Sequence, residues 1–248
     1  MDLHGKVCLV TGGSSGIGAS TVLRLAHKGA QVVSVSRKGS ASDPGLSSAV
    51  ANGLKIRFLK ADVADPQACR NCVERAAEEF GRLDVLVHSA GALAPGGLHE
   101  ISDERWMRAF AVHVHAVFHL SRAAVPHMAR RGEGAIILLG SAAGLRGCLG
   151  ALAYGVAKGS LPQFARSLAR ELAAQNIRVN CVSPGIIRTP LQDHLTPDQV
   201  SNNIQTRIPL RREGQPDEVA RLIESLIEND FITGENFVID GGLTMRIV

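Results

Sequence analysis

The sequence predicts a doubly wound α/β domain of about seven mainly parallel strands, with helices on both faces. Three observations carry this. Short apolar runs recur along the chain, each followed by a longer segment of helical character, as parallel strands joined by crossover helices require. The first run ends in a glycine-rich turn that opens directly into a helix. The packing residues are alanine, leucine, valine and glycine: hydrophobic residues make up 45% of the 248 and aromatic residues only 4%, as in layered α/β proteins.

Residues 6–11 form the first apolar run and read as a buried strand. Gly12-Gly13-Ser14-Ser15-Gly16-Ile17-Gly18 follows, then a helical segment over 19–28. Strand, glycine turn and helix in this order form the start of a Rossmann-type fold. Gly12 and Gly16 let the backbone turn near a pyrophosphate, with Ser14, Ser15 and Ile17 around it, and Gly18 lets helix and strand pack closely. The N–H groups at the helix start receive the negative charge.

The second strand, 31–36, ends in Ser36-Arg37-Lys38. Dinucleotide folds usually place a carboxylate there against the adenosine ribose. A serine and two cations attract a 2′-phosphate instead, so Arg37 and Lys38 point to NADP(H) over NAD(H). The competing reading is two solvated loop charges. Residues 40–52 read as a loop and a weak helix. A third strand covers 55–59, and Asp65-Pro66 caps the next helix.

A fourth strand spans 84–87. A long helix then begins at Ser102-Asp103 and continues to about residue 131. A fifth strand, 135–139, ends at Gly140-Ser141. Tyr154, the only tyrosine, stands thirteen residues after Ser141 and four before Lys158. Residues four apart on a helix share a face. A free phenol titrates near ~10, too high for neutral-pH chemistry, and a neighbouring ammonium favours its ionised form. Ser141, at a strand's carboxyl end, is placed to hydrogen-bond a carbonyl or alcohol oxygen. Together these make a proton-transfer site. Arg146, in the apolar loop between, reads as a solvent-pointing charge in preference to a substrate anchor. Pro162 predicts a kink just after Lys158, because it removes the bond to that residue's carbonyl. A sixth strand covers 177–182, polar residues 190–212 form a substrate lid with a short helix from Pro197, and a seventh strand covers 236–239.

The spacing Thr11-Gly-x-x-x-Gly-Ile-Gly18 resembles the short-chain dehydrogenase/reductase family, and the resemblance extends to Gly242. The end of the chain, through Asp240-Gly241-Gly242, is similar to 3-oxoacyl carrier-protein reductases. The resemblance implies that Asp62 and Val63 lie against the adenine, that Ala90 and Gly91 pass the ribose, and that Pro184, Gly185, Ile187 and Thr189 contact the nicotinamide. It also implies that Tyr154, supported by Ser141 and Lys158, exchanges a proton with a ketone or secondary alcohol, and that the protein is a homotetramer or homodimer built on the helices over 103–131 and 152–174. The sequence departs from the family at His88-Ser89, where two asparagines are usual, and at His113, where the family has an asparagine that holds a proton-relay water. Imidazole can also hold a water, so His113 is either a relay group or an ordinary helix histidine. The alternatives to an NADP(H)-dependent oxidoreductase are an NAD-dependent alcohol dehydrogenase and a non-catalytic dinucleotide sensor or scaffold.

The net charge is +4 with a pI near 9.0, without a block of like charges, so no nucleic-acid partner is expected. The expected partner is a small carbonyl or alcohol substrate. No apolar run approaches the ~18 residues of a membrane span. The five cysteines are an odd number; with the first strand beginning almost at once and no targeting signal at 245–248, they favour a reducing, cytoplasmic setting. Cys69 and Cys72 form a lone CxxC, short of a structural zinc set, and no metal is expected. The reading as a whole is one domain over 1–248.

Overall fold

Each short apolar run forms a strand in the computed structural model, which describes residues 1–245. The final residues, 246–248, and with them most of the C-terminal end considered above, lie outside the described residues. The strands are β1 (Val7–Thr11), β2 (Gln31–Ser36), β3 (Ile56–Lys60), β4 (Val85–His88), β5 (Gly134–Leu139), β6 (Ile177–Pro184) and β7 (Asn236–Ile239). They form one sheet in the order β3-β2-β1-β4-β5-β6-β7, every neighbouring pair parallel. Chain direction across the sheet reverses between β1 and β4, which opens a crevice at their carboxyl ends.

Two apolar layers cover the faces, because successive side chains of a strand point to opposite sides. Leu9, Ile136 and Leu138 face one layer, together with Val73 and Ala76 of α3 (Pro66–Phe80), Val117 and Leu120 of α5 (Ala116–Ala129), and Leu161 and Ala165 of α7 (Leu152–Leu172). Cys8, Val10 and Ile137 face the other, with Val22 and Leu25 of α1 (Gly16–His27), Leu46 of α2 (Pro44–Ala51), and Val219 and Ile223 of α9 (Pro216–Glu228). Small residues let these layers approach. A Cβ on Gly18 would lie 2.2 Å from the Gly12 carbonyl oxygen, so α1 can start against β1 only with glycine there.

One expectation changes. The long helix from Asp103 is not uniform: α4 (Asp103–Phe110) passes into a π-helical turn, Ala111–His115, before α5. The N–H of Ala116 reaches back to the Ala111 carbonyl, five residues away. Such turns hold one extra residue in the helical ladder and re-aim its side chains. Pro162 lies inside α7, one helix of 21 residues that continues past it. The segment after β5 holds a short helix, α6 (Ala142–Arg146). Among residues 190–212 are α8 (Pro197–Asn202), whose start is capped by Thr196 and Gln199, and a second π-helical turn, Asn203–Arg207.

Candidate active site

The crevice between β1 and β4 widens into a cleft of about 1620 Å³, and every site residue named from the sequence lines it. At its floor the glycine turn passes close beneath the loop after β4. Gly12 has φ +69°, and a Cβ there would lie 2.7 Å from the backbone of Ala90. Ser15 caps α1 without bonding its first-turn N–H groups through its side chain, and that turn holds no acidic residue. These donors and the helix dipole suit an anionic pyrophosphate. A dinucleotide therefore fits the residues present: Ser14 to Gly18 at the phosphates, Arg37, Lys38, Asp62 and Val63 at one end, and Ala90 and Gly91 beside the ribose.

Asp62 is not free to meet an adenine unaided. Arg108 of α4 donates to its Oδ2 at 2.6 Å, and the Ala64 N–H donates to Oδ1 at 3.1 Å. Partial burial opposes the charge, but these two donors hold the carboxyl below its usual range.

The catalytic candidates meet at the carboxyl end of β5. Ser141 caps α6, its Oγ accepting from the Ala143 N–H at 3.1 Å, so its hydroxyl proton remains to be donated elsewhere. Tyr154 sits in the first turn of α7. The entry to that helix is tied to the loop after β4 by Gly96 N–H to Gly150 O at 2.8 Å and Leu152 N–H to Gly96 O at 3.2 Å. Its ring packs on a small cluster of Ala94, Ala109 and Ala153. Lys158 is buried one turn on, and its Nζ donates to the Leu139 carbonyl at 2.6 Å. α6 and α7 approach this closely because Gly144 faces Gly159: a Cβ on Gly144 would lie 2.5 Å from the Gly159 nitrogen.

The electrostatics differ from the expectation that Lys158 lowers the phenol's pKa. Burial raises the Tyr154 pKa, opposed by a hydrogen bond from Ser141. Burial pushes Lys158 down to about 8. The ammonium lies 5.9 Å from the centre of the Tyr154 ring and spends one N–H on Leu139. Desolvation thus outweighs charge, and the phenol keeps its proton at neutral pH.

The two unusual histidines are both buried, with different roles in the packing. His88 Nε2 lies 3.0 Å from the Val112 carbonyl, so it carries the proton; Nδ1 then accepts from Thr11 Oγ1 at 2.9 Å. Thr11 Oγ1 in turn accepts from the Ala90 N–H at 3.3 Å. This chain replaces the bracing expected of asparagine, and Ser89 contributes through its main chain, N–H to Thr11 O at 3.2 Å. Burial first, and the Lys158 charge second, drive the His88 pKa down to about 3. His113, within the π-helical turn, donates from Nε2 to the Ala92 carbonyl at 3.0 Å. Its Nδ1 is a buried acceptor without a hydrogen-bond partner among the described residues. Burial and then Lys158 hold its pKa well below the ordinary value.

Pro184, Gly185 and Ile187 form the opposite wall, and Thr189 closes over the glycine turn, 3.1 Å from where a Cβ on Gly16 would stand. Sequence reasoning missed Arg108, Asn203 and Arg207, which also line the cleft. Arg108 arrives from α4 with no motif to mark it, and Asn203 and Arg207 lie in the expected lid, where no local pattern singled them out. Arg146 is exposed but does not simply point to solvent: it lines the cleft and donates from Nε to the Thr244 carbonyl at 2.9 Å. Cys69 and Cys72 are buried thiols whose pKa values burial pushes up to about 12, which is unsuited to redox exchange. Among the described residues no His, Cys, Asp and Glu cluster suits a metal, and no helix is long and apolar enough to cross a membrane.

A family model described as enoyl-(acyl carrier protein) reductase matches residues 12–244. The chain is 38% identical to a 3-oxoacyl-[acyl-carrier-protein] reductase of Thermotoga maritima, covering 99% of this chain and 100% of that protein. It is 35% identical to the Escherichia coli protein of the same description, again over 99% and 100%. A crystal structure of a short-chain type dehydrogenase/reductase from Mycobacterium marinum superposes with a TM-score of 0.92 at 32% identity, over 99% of this chain and 98% of that one. With its parallel sheet and glycine turn, the chain belongs to the short-chain dehydrogenase/reductase family of oxidoreductases.

Proposed function

We propose that the protein is an NADP(H)-dependent oxidoreductase that interconverts a ketone and a secondary alcohol. The observation that carries this is the half-buried Tyr154 standing beside Ser141 and Lys158 in the dinucleotide cleft. When bound, the nicotinamide supplies or accepts the hydride. The remaining work falls to the chain itself. Tyr154 donates its proton to the carbonyl oxygen in reduction and takes it back in oxidation. Ser141, held by the Ala143 N–H, donates to the same oxygen and steadies its developing charge. Lys158 has N–H groups beyond the one given to Leu139, and these serve the nucleotide ribose. Its positive charge favours the phenolate once the proton has left.

That proton returns through a water, and His113 is the group that holds the water in place. The point a Cβ on Gly91 would occupy is 3.5 Å from His113 Nδ1 and 3.9 Å from Lys158 Nζ. A water accepting from Lys158 and donating to the lone pair of Nδ1 satisfies a buried acceptor that has no other described partner.

NADP(H) is favoured by the absence of a carboxylate at the end of β2 and by Arg37 and Lys38 on the cleft wall. Five free cysteines agree with a reducing, cytoplasmic setting. Met107, Phe118 and Val156, exposed on α4, α5 and α7, support self-association into a dimer or tetramer.

The test is turnover of a panel of ketones with NADPH and with NADH, alongside Tyr154→Phe. The expected result is NADPH oxidation that falls by about 100-fold or more in the variant. Tight NADPH binding without turnover of any carbonyl would assign a sensor or scaffold role instead.

A further inference from the structure

We propose that the substrate end of the cleft, between Arg146 and Arg207, is an anion site, and that the carbonyl substrate itself carries a carboxylate held there. This deepens the oxidoreductase reading and rests on it.

Both arginines line the cleft that holds Ser141 and Tyr154. Each is held by a neutral acceptor. Arg146 Nε donates to the Thr244 carbonyl at 2.9 Å. Arg207 Nη1 donates to Oδ1 of Asn203 at 2.7 Å, and Asn203 is only 5% exposed. Neither has an acidic partner among the described residues, whereas Arg108, at the adenosine end, is paired with Asp62.

Both arginines adjoin the turn over 240–244: Arg146 through Thr244, and Arg207 through the next residue, Ile208, whose Cγ2 lies 2.8 Å from where a Cβ on Gly241 would stand. Thr244 is fixed by its N–H to Asp240 Oδ2 at 2.7 Å. In the same turn Gly241 accepts from the Leu210 N–H at 3.1 Å, three residues after Arg207. The carboxylates on the cleft wall are Asp62 and Glu104, and Glu104 lies one helical turn from Arg108 on α4. Asp240, within the turn, turns its carboxylate to the N–H groups of Gly242 and Thr244, so the two arginines face the substrate end without a described ion-pair partner.

Arg146 ends the helix that Ser141 caps. Five residues of helical rise are about 7.5 Å, so the guanidinium is within reach of an anion a few bonds from a carbonyl on Ser141. That separation suits a short keto acid. A carrier's phosphopantetheine arm would hold its phosphate much farther from the reacting carbon. Guanidinium matches carboxylate with paired, charge-assisted hydrogen bonds.

The test compares 4-oxopentanoate with its methyl ester, and 5-oxohexanoate with its methyl ester, as substrates with NADPH. The carbonyl is the same within each pair and only the charge differs. The acid is expected to exceed the ester in kcat/KM by about ten-fold in at least one pair, mainly through KM. Arg146→Gln combined with Arg207→Gln should bring that ratio close to one. An acid-to-ester ratio near one in the wild type, or a preference that survives the double substitution, overturns the proposal. So does a pantetheine 3-oxoacyl thioester turned over better than both acids, which would give the end of the cleft to a carrier arm.

If no member of either pair is reduced, binding decides. 4-Oxopentanoate should raise the Tm of the wild-type NADPH complex and leave that of the double variant unmoved. No shift in the wild type overturns the anion site, whereas failure to reduce any ketone counts against the oxidoreductase reading alone.

Discussion

The imidazole of His113 stands edge-on to the ring of Tyr154, with centroids 5.4 Å apart and planes at 86°. The π-helical turn aims it there, and the Ala92 carbonyl locks its tautomer, so that the lone pair of Nδ1 is left for a water. His113→Phe keeps the edge contact and removes that lone pair. We expect kcat to fall by about ten-fold or more with little change in the KM for the nucleotide, and the alkaline limb of the pH profile to move. His113→Asn, which can hold a water, should recover much of the loss. Unchanged turnover and pH profile in both variants would leave His113 as packing only.

The same histidine explains Gly91. A Cβ there would lie 2.9 Å from His113 Cε1, and the ring cannot retreat without giving up its bond to Ala92. Gly91→Ala should cost about 1–3 kcal/mol of stability. In a His113→Ala background the same change should cost much less. Equal costs in the two backgrounds, read from urea midpoints in a double-mutant cycle, would place the obstruction elsewhere.

Lys158 is a buried ammonium whose pKa falls from 10.5 to about 8. Between those values the unfolded chain binds more protons than the folded one, so stability rises with pH across that window. Below it the full desolvation penalty stands. Lys158→Met should therefore raise the stability of the nucleotide-free protein at pH 7, on the order of 1–3 kcal/mol, while lowering kcat by about 100-fold or more. The advantage should shrink as pH rises from 8 to 10.5. A variant that is less stable at every pH would refute this account.

His88 titrates in the acid range. Its folded pKa of about 3 lies below its ordinary 6.5, so the unfolded chain takes up the proton first and stability falls as pH drops through that interval. The expected loss is roughly 2 kcal/mol by pH 5 from this residue. His88→Asn should flatten the dependence between pH 7 and 5 in chemical denaturation, and an equally steep dependence in the variant would assign the acid sensitivity to other groups.

Arg37 decides nucleotide preference in our reading. Arg37→Ala should raise the KM for NADPH by about ten-fold and leave that for NADH nearly unchanged. Parallel effects on both nucleotides would mean that Arg37 does not meet a 2′-phosphate.

Much of the site was legible in the sequence because its parts are local. The glycine turn from Gly12 to Gly18 is recognised by where it stands, between a strand and a helix. Tyr154 and Lys158 share a face because a helix repeats every 3.6 residues. Other parts had no local signal. Arg108 reaches Asp62 across 46 positions of sequence, and the π-helical turn at Ala111–His115 cannot be told from an α-helix by the spacing of its apolar residues. Arg146 read as a solvated charge because only the turn at Thr244, far along the chain, brings it an acceptor.

The sequence by itself determined the strand order of events: apolar runs, a glycine turn, a Tyr–Lys pair and a second strand ending without an acid. These depend on backbone geometry and side-chain type within a few residues. Only the tertiary structure decided the charge states. Desolvation of the half-buried Tyr154 reverses the expected sign of the phenol's shift, because desolvation depends on every element packed around a group and not on the residue four positions away.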